Sequence, residues 1–212
     1  MNPRTFACLA LLWLCVLAPT ALAQSLPALR EFYFDDDQAA RPIRVVEGTD
    51  DAAVEQLMRT MERRQRHAEL ATAQLAHIAL AGGRAETAHA LYRQAIESTS
   101  PRSSQRQQVQ WNYGWDLLRA GDAEGALTQW AGVMEGRRQQ PEWLPPTLAL
   151  ALWRLDRRDE AVAWFAAAVR THPDRWPYAA HLSALLPDWR EDERATLAQV
   201  QAAWVANPPV WP

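Results

Sequence analysis

Residues 107–140 read QQVQWNYGWDLLRAGDAEGALTQWAGVMEGRRQQ, and they divide into two helix-sized halves. Val109, Tyr113, Leu117 and Leu118 make one apolar stripe, and Ala126, Leu127, Trp130 and Val133 make a second. Each stripe has the spacing of one helix face. Between them, RAGDAEGA offers Gly121 for a left-handed exit from the first helix and Asp122 to cap the second. Gly114 and Ala126 place small residues where two antiparallel helices must approach closely. The stretch predicts a helical hairpin.

The hairpin recurs. Gly83-Arg-Ala-Glu-Thr-Ala88 aligns with Gly121-Asp-Ala-Glu-Gly-Ala126 and with Asp156-Arg-Arg-Asp-Glu-Ala161. Four positions after each anchoring alanine stands an aromatic (Tyr92, Trp130, Phe165), and three further on a small or β-branched residue (Ala95, Val133, Ala168). Twelve positions before each anchor lies another small residue: Ala76, Gly114, Ala149. Pro173 falls where a repeat of about 34 residues closes.

With these columns the chain resembles the tetratricopeptide repeats over 69–102, 107–140 and 142–175, with a degenerate unit at 176–209. In that last unit Ser183 and Gln199 replace the small and aromatic residues, as suits a capping pair whose outer face meets water. The resemblance implies an all-α fold: a right-handed superhelix of antiparallel helix pairs over 49–209, preceded by a short irregular segment at 24–48. It also implies that first helices line a concave groove, which would place His77, Trp111, Trp115, Arg119, Leu150, Trp153 and Arg154 along it. Asn112 stands where peptide-clamping members of the family carry an asparagine. Gln108, Trp143 and Thr147 hold the positions of that clamp's basic residues, so a C-terminal carboxylate is not the expected ligand.

Upstream, residues 1–23 read as a secretory signal: Arg4, an apolar core from Phe6 to Leu17, and Ala21-Leu22-Ala23 as a cleavage site before Gln24. The competing reading is a membrane anchor, but its apolar run is shorter than the roughly 20 residues a span needs, and Pro19 follows closely. Cleavage after Ala23 would give a periplasmic or secreted protein with no stable membrane span. It would also remove both cysteines, Cys8 and Cys15, leaving no disulfide or thiolate chemistry. Without Arg4 the 21 arginines face 25 acidic residues, a net charge of −4, which argues against nucleic acid as a partner.

Residues 24–48 differ from the rest. Pro27 and Pro42 discourage helix, and Phe32-Tyr33-Phe34 is a compact aromatic cluster followed by Asp35-Asp36-Asp37. Ile43-Arg44-Val45-Val46 has β character, but one short strand does not stand alone. The segment is expected to lie extended over the first helices, held by its aromatics, with the aspartates a solvated loop. They lack the staggered ligands and glycine turn of a calcium site. A helix should start at Thr49-Asp50-Asp51 and run either unbroken to residue 81 or with a break near Arg66. Ser98–Ser104 is a polar turn. Pro145 and Pro146 mark the first turn of the helix opening the third unit. Pro177 should open the next helix, Pro187 end it, and Asp188 cap the last long one.

Catalytic signatures are scarce. His67, His77, His89, His172 and His181 include no pair spaced for zinc on one helix face. Glycines sit at helix turns rather than in phosphate-cradling loops, and no GxSxG elbow occurs. Ten tryptophans remain after signal removal. Trp130 and Trp164 belong to second helices, where packing is their expected role. Trp111, Trp115 and Trp153, edged by Arg119 and Arg154, are expected either to form a partly exposed groove wall or to pack in the core. The residues thus point to an exported scaffold or adaptor that binds a protein or peptide segment, with no catalysis, cofactor or metal. An envelope carbohydrate-binding module stacking glycan on its tryptophans is the alternative. An accessory enzyme domain would need an acid or base that the sequence does not single out.

Overall fold

The computed structural model describes residues 26–33, 40–63, 67–135 and 140–210. Expectations for the signal segment, for Asp35 to Asp37 and for Trp211 lie outside the described residues. Within them the chain is helical and has no strand. The helices are α1 (Asp51–Glu62), α2 (Ala68–Ala81), α3 (Ala85–Glu97), α4 (Ser104–Arg119), α5 (Ala123–Met134), α6 (Leu144–Arg154), α7 (Arg158–Thr171), α8 (Leu182–Leu185) and α9 (Glu191–Ala206), with a 3-10 turn at Ala179–His181. None of these helices is long and apolar enough to cross a membrane.

Start signals in the sequence act as written. Asp50 caps α1 by accepting from the Ala53 amide, Ser103 caps α4 from Arg106, and Asp122 caps α5 from Gly125. Each satisfies one of the donors that a helix N-terminus leaves open. Helix α6 begins at Leu144 with the two prolines in its first turn. Of the two readings for 50–81, the broken one holds: α1 ends at Glu62, and His67, at φ 68°, precedes α2.

Helices pair as neighbours, α2 with α3, α4 with α5, and α6 with α7. All three pairs turn in the same way. Gly83, Gly121 and Asp156 have φ of 76°, 93° and 59°. At each turn two amides reach back across the helix end. Arg84 and Gly83 donate to Ala79 and Leu80, Asp122 and Gly121 to Leu117 and Leu118, and Arg157 and Asp156 to Leu152 and Trp153. This is the Schellman arrangement, and its left-handed residue is ordinarily glycine.

The small-residue columns are buried: Ala76, Ala88, Ala126, Ala149 and Ala161 are all inaccessible to solvent. Gly114 has a more particular reason. A Cβ there would run into the indole of Trp130, which donates from Nε1 to the Trp111 carbonyl at 3.3 Å. The closest approach to Gly114 is thus made by the aromatic four residues beyond Ala126.

Helix α1 packs on α2, and α9 lies against α6 and α7. The fourth unit departs from expectation in its first helix. Between Pro177 and Pro187 only the 3-10 turn and the four residues of α8 are helical. A proline disfavours helical geometry in the residue before it, and Leu186 is accordingly at φ −129°, ψ 60°. Asp188 does not cap α9. Its N-cap is Arg190, whose amide donates to Glu193 Oε2 at 2.7 Å, so the acceptor comes from inside the first turn.

The N-terminal segment is held at two places. Tyr33 is fully buried beside Trp164 of α7, ring centroids 6.1 Å apart, while Phe32 is exposed. That anchor is on the third helix pair, not over the first helices as the sequence suggested. Residues 41–46 do lie against α2 and α4, but the chain bends at 40–41 and 45–47 instead of running extended, so that two successive amides meet one Gln74 oxygen.

Candidate functional site

Helices α2 and α4 form the floor of a cavity of about 590 Å³. One wall is the irregular stretch from Ala40 to Thr49, and the other is the loop from Leu185 to Trp189. Five of the expected groove residues meet here: His77 from α2, and Trp111, Asn112, Trp115 and Arg119 from α4.

Leu150, Trp153 and Arg154 are not among its lining residues. Leu150 is fully buried in the core. Trp153 donates from Nε1 to Gln199 Oε1 at 3.0 Å and carries the Arg158 guanidinium 3.9 Å over its ring. Arg154 donates to the Leu118 carbonyl and to Asp192 Oδ2, at 3.2 and 2.9 Å. Trp153 and Arg154 are taken up because α9 lies against α6 and supplies Gln199 and Asp192.

Nor do Trp111 and Trp115 form an exposed wall. Each retains only 8% of its surface. Trp111 packs against Trp143 and Trp130, with centroids at 4.1 and 6.0 Å, and Trp115 against Trp130 and Trp189, at 5.3 and 5.0 Å. They meet edge-on at 5.6 Å, the geometry that sets a ring's positive edge against a negative face. They serve as floor, with their edges open to the cavity.

Polar groups on this floor are held in order. Asp116, 8% exposed on its side chain, accepts from the Tyr92 hydroxyl at 2.6 Å and faces His77 Nδ1 at 2.9 and 3.0 Å through its two oxygens. The His77 side chain remains 56% exposed, so the imidazole opens onto the cavity. Hydrogen bonding to the Asp116 carboxylate raises the His77 pKa above its usual value, against burial, which pulls it down. Burial, helped by the Asp116 charge, pushes the Tyr92 phenol well above its usual range and keeps it a donor. Arg119 lies 5.1 Å over the Trp115 ring and is paired with Glu193, Nε to Oε1 at 2.8 Å and Nη2 to Oε2 at 3.2 Å. That pair ties α4 to the start of α9.

The irregular stretch is fastened through its main chain. Asn112 accepts from the Ile43 amide at 3.2 Å and donates to the Arg41 carbonyl at 2.8 Å. Gln74 accepts from the Val45 and Val46 amides at 2.7 and 3.1 Å and donates to the Val46 carbonyl at 2.6 Å. A carboxamide carries both an acceptor and donors, so two such side chains hold a backbone without regard to its sequence.

Sequence reasoning did not single out Gln74, Tyr92, Asp116, Trp143 or Trp189 as lining residues. Asp116 left a signal: it stands in Trp115-Asp-Leu-Leu118, and a carboxylate in a buried stretch requires partners. Those partners come from α2 and α3, beyond the reach of local spacing. Among the described residues no group of three or more His, Cys, Asp or Glu is arranged to hold a metal ion. No family model matches the chain, and neither a curated protein nor a solved structure shows significant similarity to it.

Proposed function

We propose that this chain is a tetratricopeptide-like adaptor, exported after loss of residues 1–23, which binds a peptide or protein segment across α2 and α4 and performs no catalysis of its own. In this reading the helix pairs follow a right-handed superhelix, and the groove is its concave face. The recurring turns at Gly83, Gly121 and Asp156 support the repeat reading. The observation that carries the functional one is the grip of Asn112 and Gln74 on main-chain groups of residues 41–46. These five contacts go to main-chain groups, which any peptide ligand carries, and each is worth about 1 kcal/mol net.

A second reading is an envelope carbohydrate-binding module. It is favoured by the Trp111, Trp115, Trp143 and Trp189 rings around a cavity that also presents His77 and Asn112. Titration with random peptide pools and with cell-wall glycan fragments, followed by tryptophan fluorescence, separates the two. The peptide reading predicts saturable quenching or a shift with peptides only. A response confined to glycan fragments would replace it with the second.

A further inference from the structure

Building on the peptide-binding reading, we propose that the partner is a segment that presents aliphatic side chains at the places of Ile43 and of Val45 and Val46, and that the chain's own residues 41–46 occupy its place until it arrives. Ile43 packs against the main core, whereas Val45 and Val46 pack against the cluster of Leu57, Ala71, Leu75 and Ile78. Arg41, Pro42, Arg44 and Glu47 are exposed. The side chains turned inward are thus all aliphatic, Ile43 toward one cluster and the adjacent Val45 and Val46 toward the other, with the chain bent at 45–47. The main-chain contacts supply affinity without choosing a sequence, so selection rests on what fills the two apolar places.

Residues 41–46 have the marks of an exchangeable occupant. They belong to no helix or strand, and side-chain carboxamides rather than a backbone ladder hold them. They join α1 through Gly48, at φ 86°, where nothing crowds the backbone. The cavity beside them leaves room for an incoming chain to take one contact at a time. A tethered occupant competes at an effective concentration in the millimolar range. An external segment therefore binds only as well as the open fraction of the groove permits.

The test uses the full chain and a synthetic peptide with the sequence of residues 40–48. The peptide should bind a chain carrying Ile43→Asp and Val45→Asp at least about tenfold more tightly than the unaltered chain. The same peptide bearing those two aspartates should not bind. Equal affinity for both chains would overturn the occupancy proposal and leave the peptide-binding groove standing. Binding of neither chain, with random peptides still bound, would overturn the aliphatic partner alone; loss of all peptide binding would remove both readings. A second measurement needs no altered chain. Excess peptide added to the unaltered protein should speed hydrogen exchange at the Val45 and Val46 amides, and peptide binding without that change would overturn the exchange.

Discussion

Gly114 and Asp156 show how one side chain, or its lack, sets a local geometry. Gly114→Ala should overpack the Trp130 indole and cost about 1–3 kcal/mol in denaturant unfolding, because indole and helix backbone have little room to give. Asp156→Gly should act oppositely. It would relieve a left-handed conformation that the two equivalent glycines adopt freely, raising stability by up to about 1 kcal/mol in the same assay. The surface contact it gives up, Arg158 to Asp156, is worth little. His77 contributes a pH dependence of stability. Its folded pKa is raised by Asp116, so its contribution is fully present below the unfolded value and fades as pH rises through the folded one. Arg119 and Arg190 oppose the charged form from α4 and the start of α9. Thermal unfolding between pH 5 and about 8 should therefore fall less steeply with pH in His77→Ala than in the unaltered chain. Parallel profiles would mean that the His77–Asp116 contact carries no stability.

At the level of helices, local signals were legible and neighbours were not. Caps at Asp50, Ser103 and Asp122, the left-handed exit at Gly121 and the proline start of α6 depend on a few adjacent residues, and the sequence shows them. The face of α6 was legible as a stripe, but not as the place where α9 would lie, so Leu150, Trp153 and Arg154 were assigned to the wrong surroundings. Asp188 looked like a cap because it follows Pro187; Glu193 takes that role because it also meets Arg119. Glu193 is fully buried and Arg119 a quarter exposed. Glu193→Ala should thus strand a mostly buried guanidinium and open the α9 start, costing about 2–3 kcal/mol by denaturant unfolding. Glu193→Asp, one methylene short of both contacts, should fall between. A loss under about 0.5 kcal/mol for the alanine variant would show that packing alone holds α9.

Across the whole molecule, helix pairs, an N-terminal stretch and the loop after α8 enclose one cavity, which no single repeat supplies. Five of its residues were visible as helix positions; the irregular wall over them was not, because nothing in Ile43-Arg44-Val45-Val46 names Gln74 and Asn112 as its partners. The tryptophans divide accordingly. Trp115→Ala should cost about 3–5 kcal/mol of stability, as a floor residue packed on Trp111, Trp130 and Trp189. Asn112 is half-buried and reaches the irregular wall through its carboxamide. The most direct test of the groove as a backbone reader is peptide affinity in the chain carrying Ile43→Asp and Val45→Asp, with and without Asn112→Ala and Gln74→Ala. Removing both carboxamides should weaken binding of the residue 40–48 peptide by about a hundredfold, roughly 2.7 kcal/mol for several lost backbone contacts, with the fold retained by circular dichroism. Unchanged affinity in a folded quadruple variant would contradict the account.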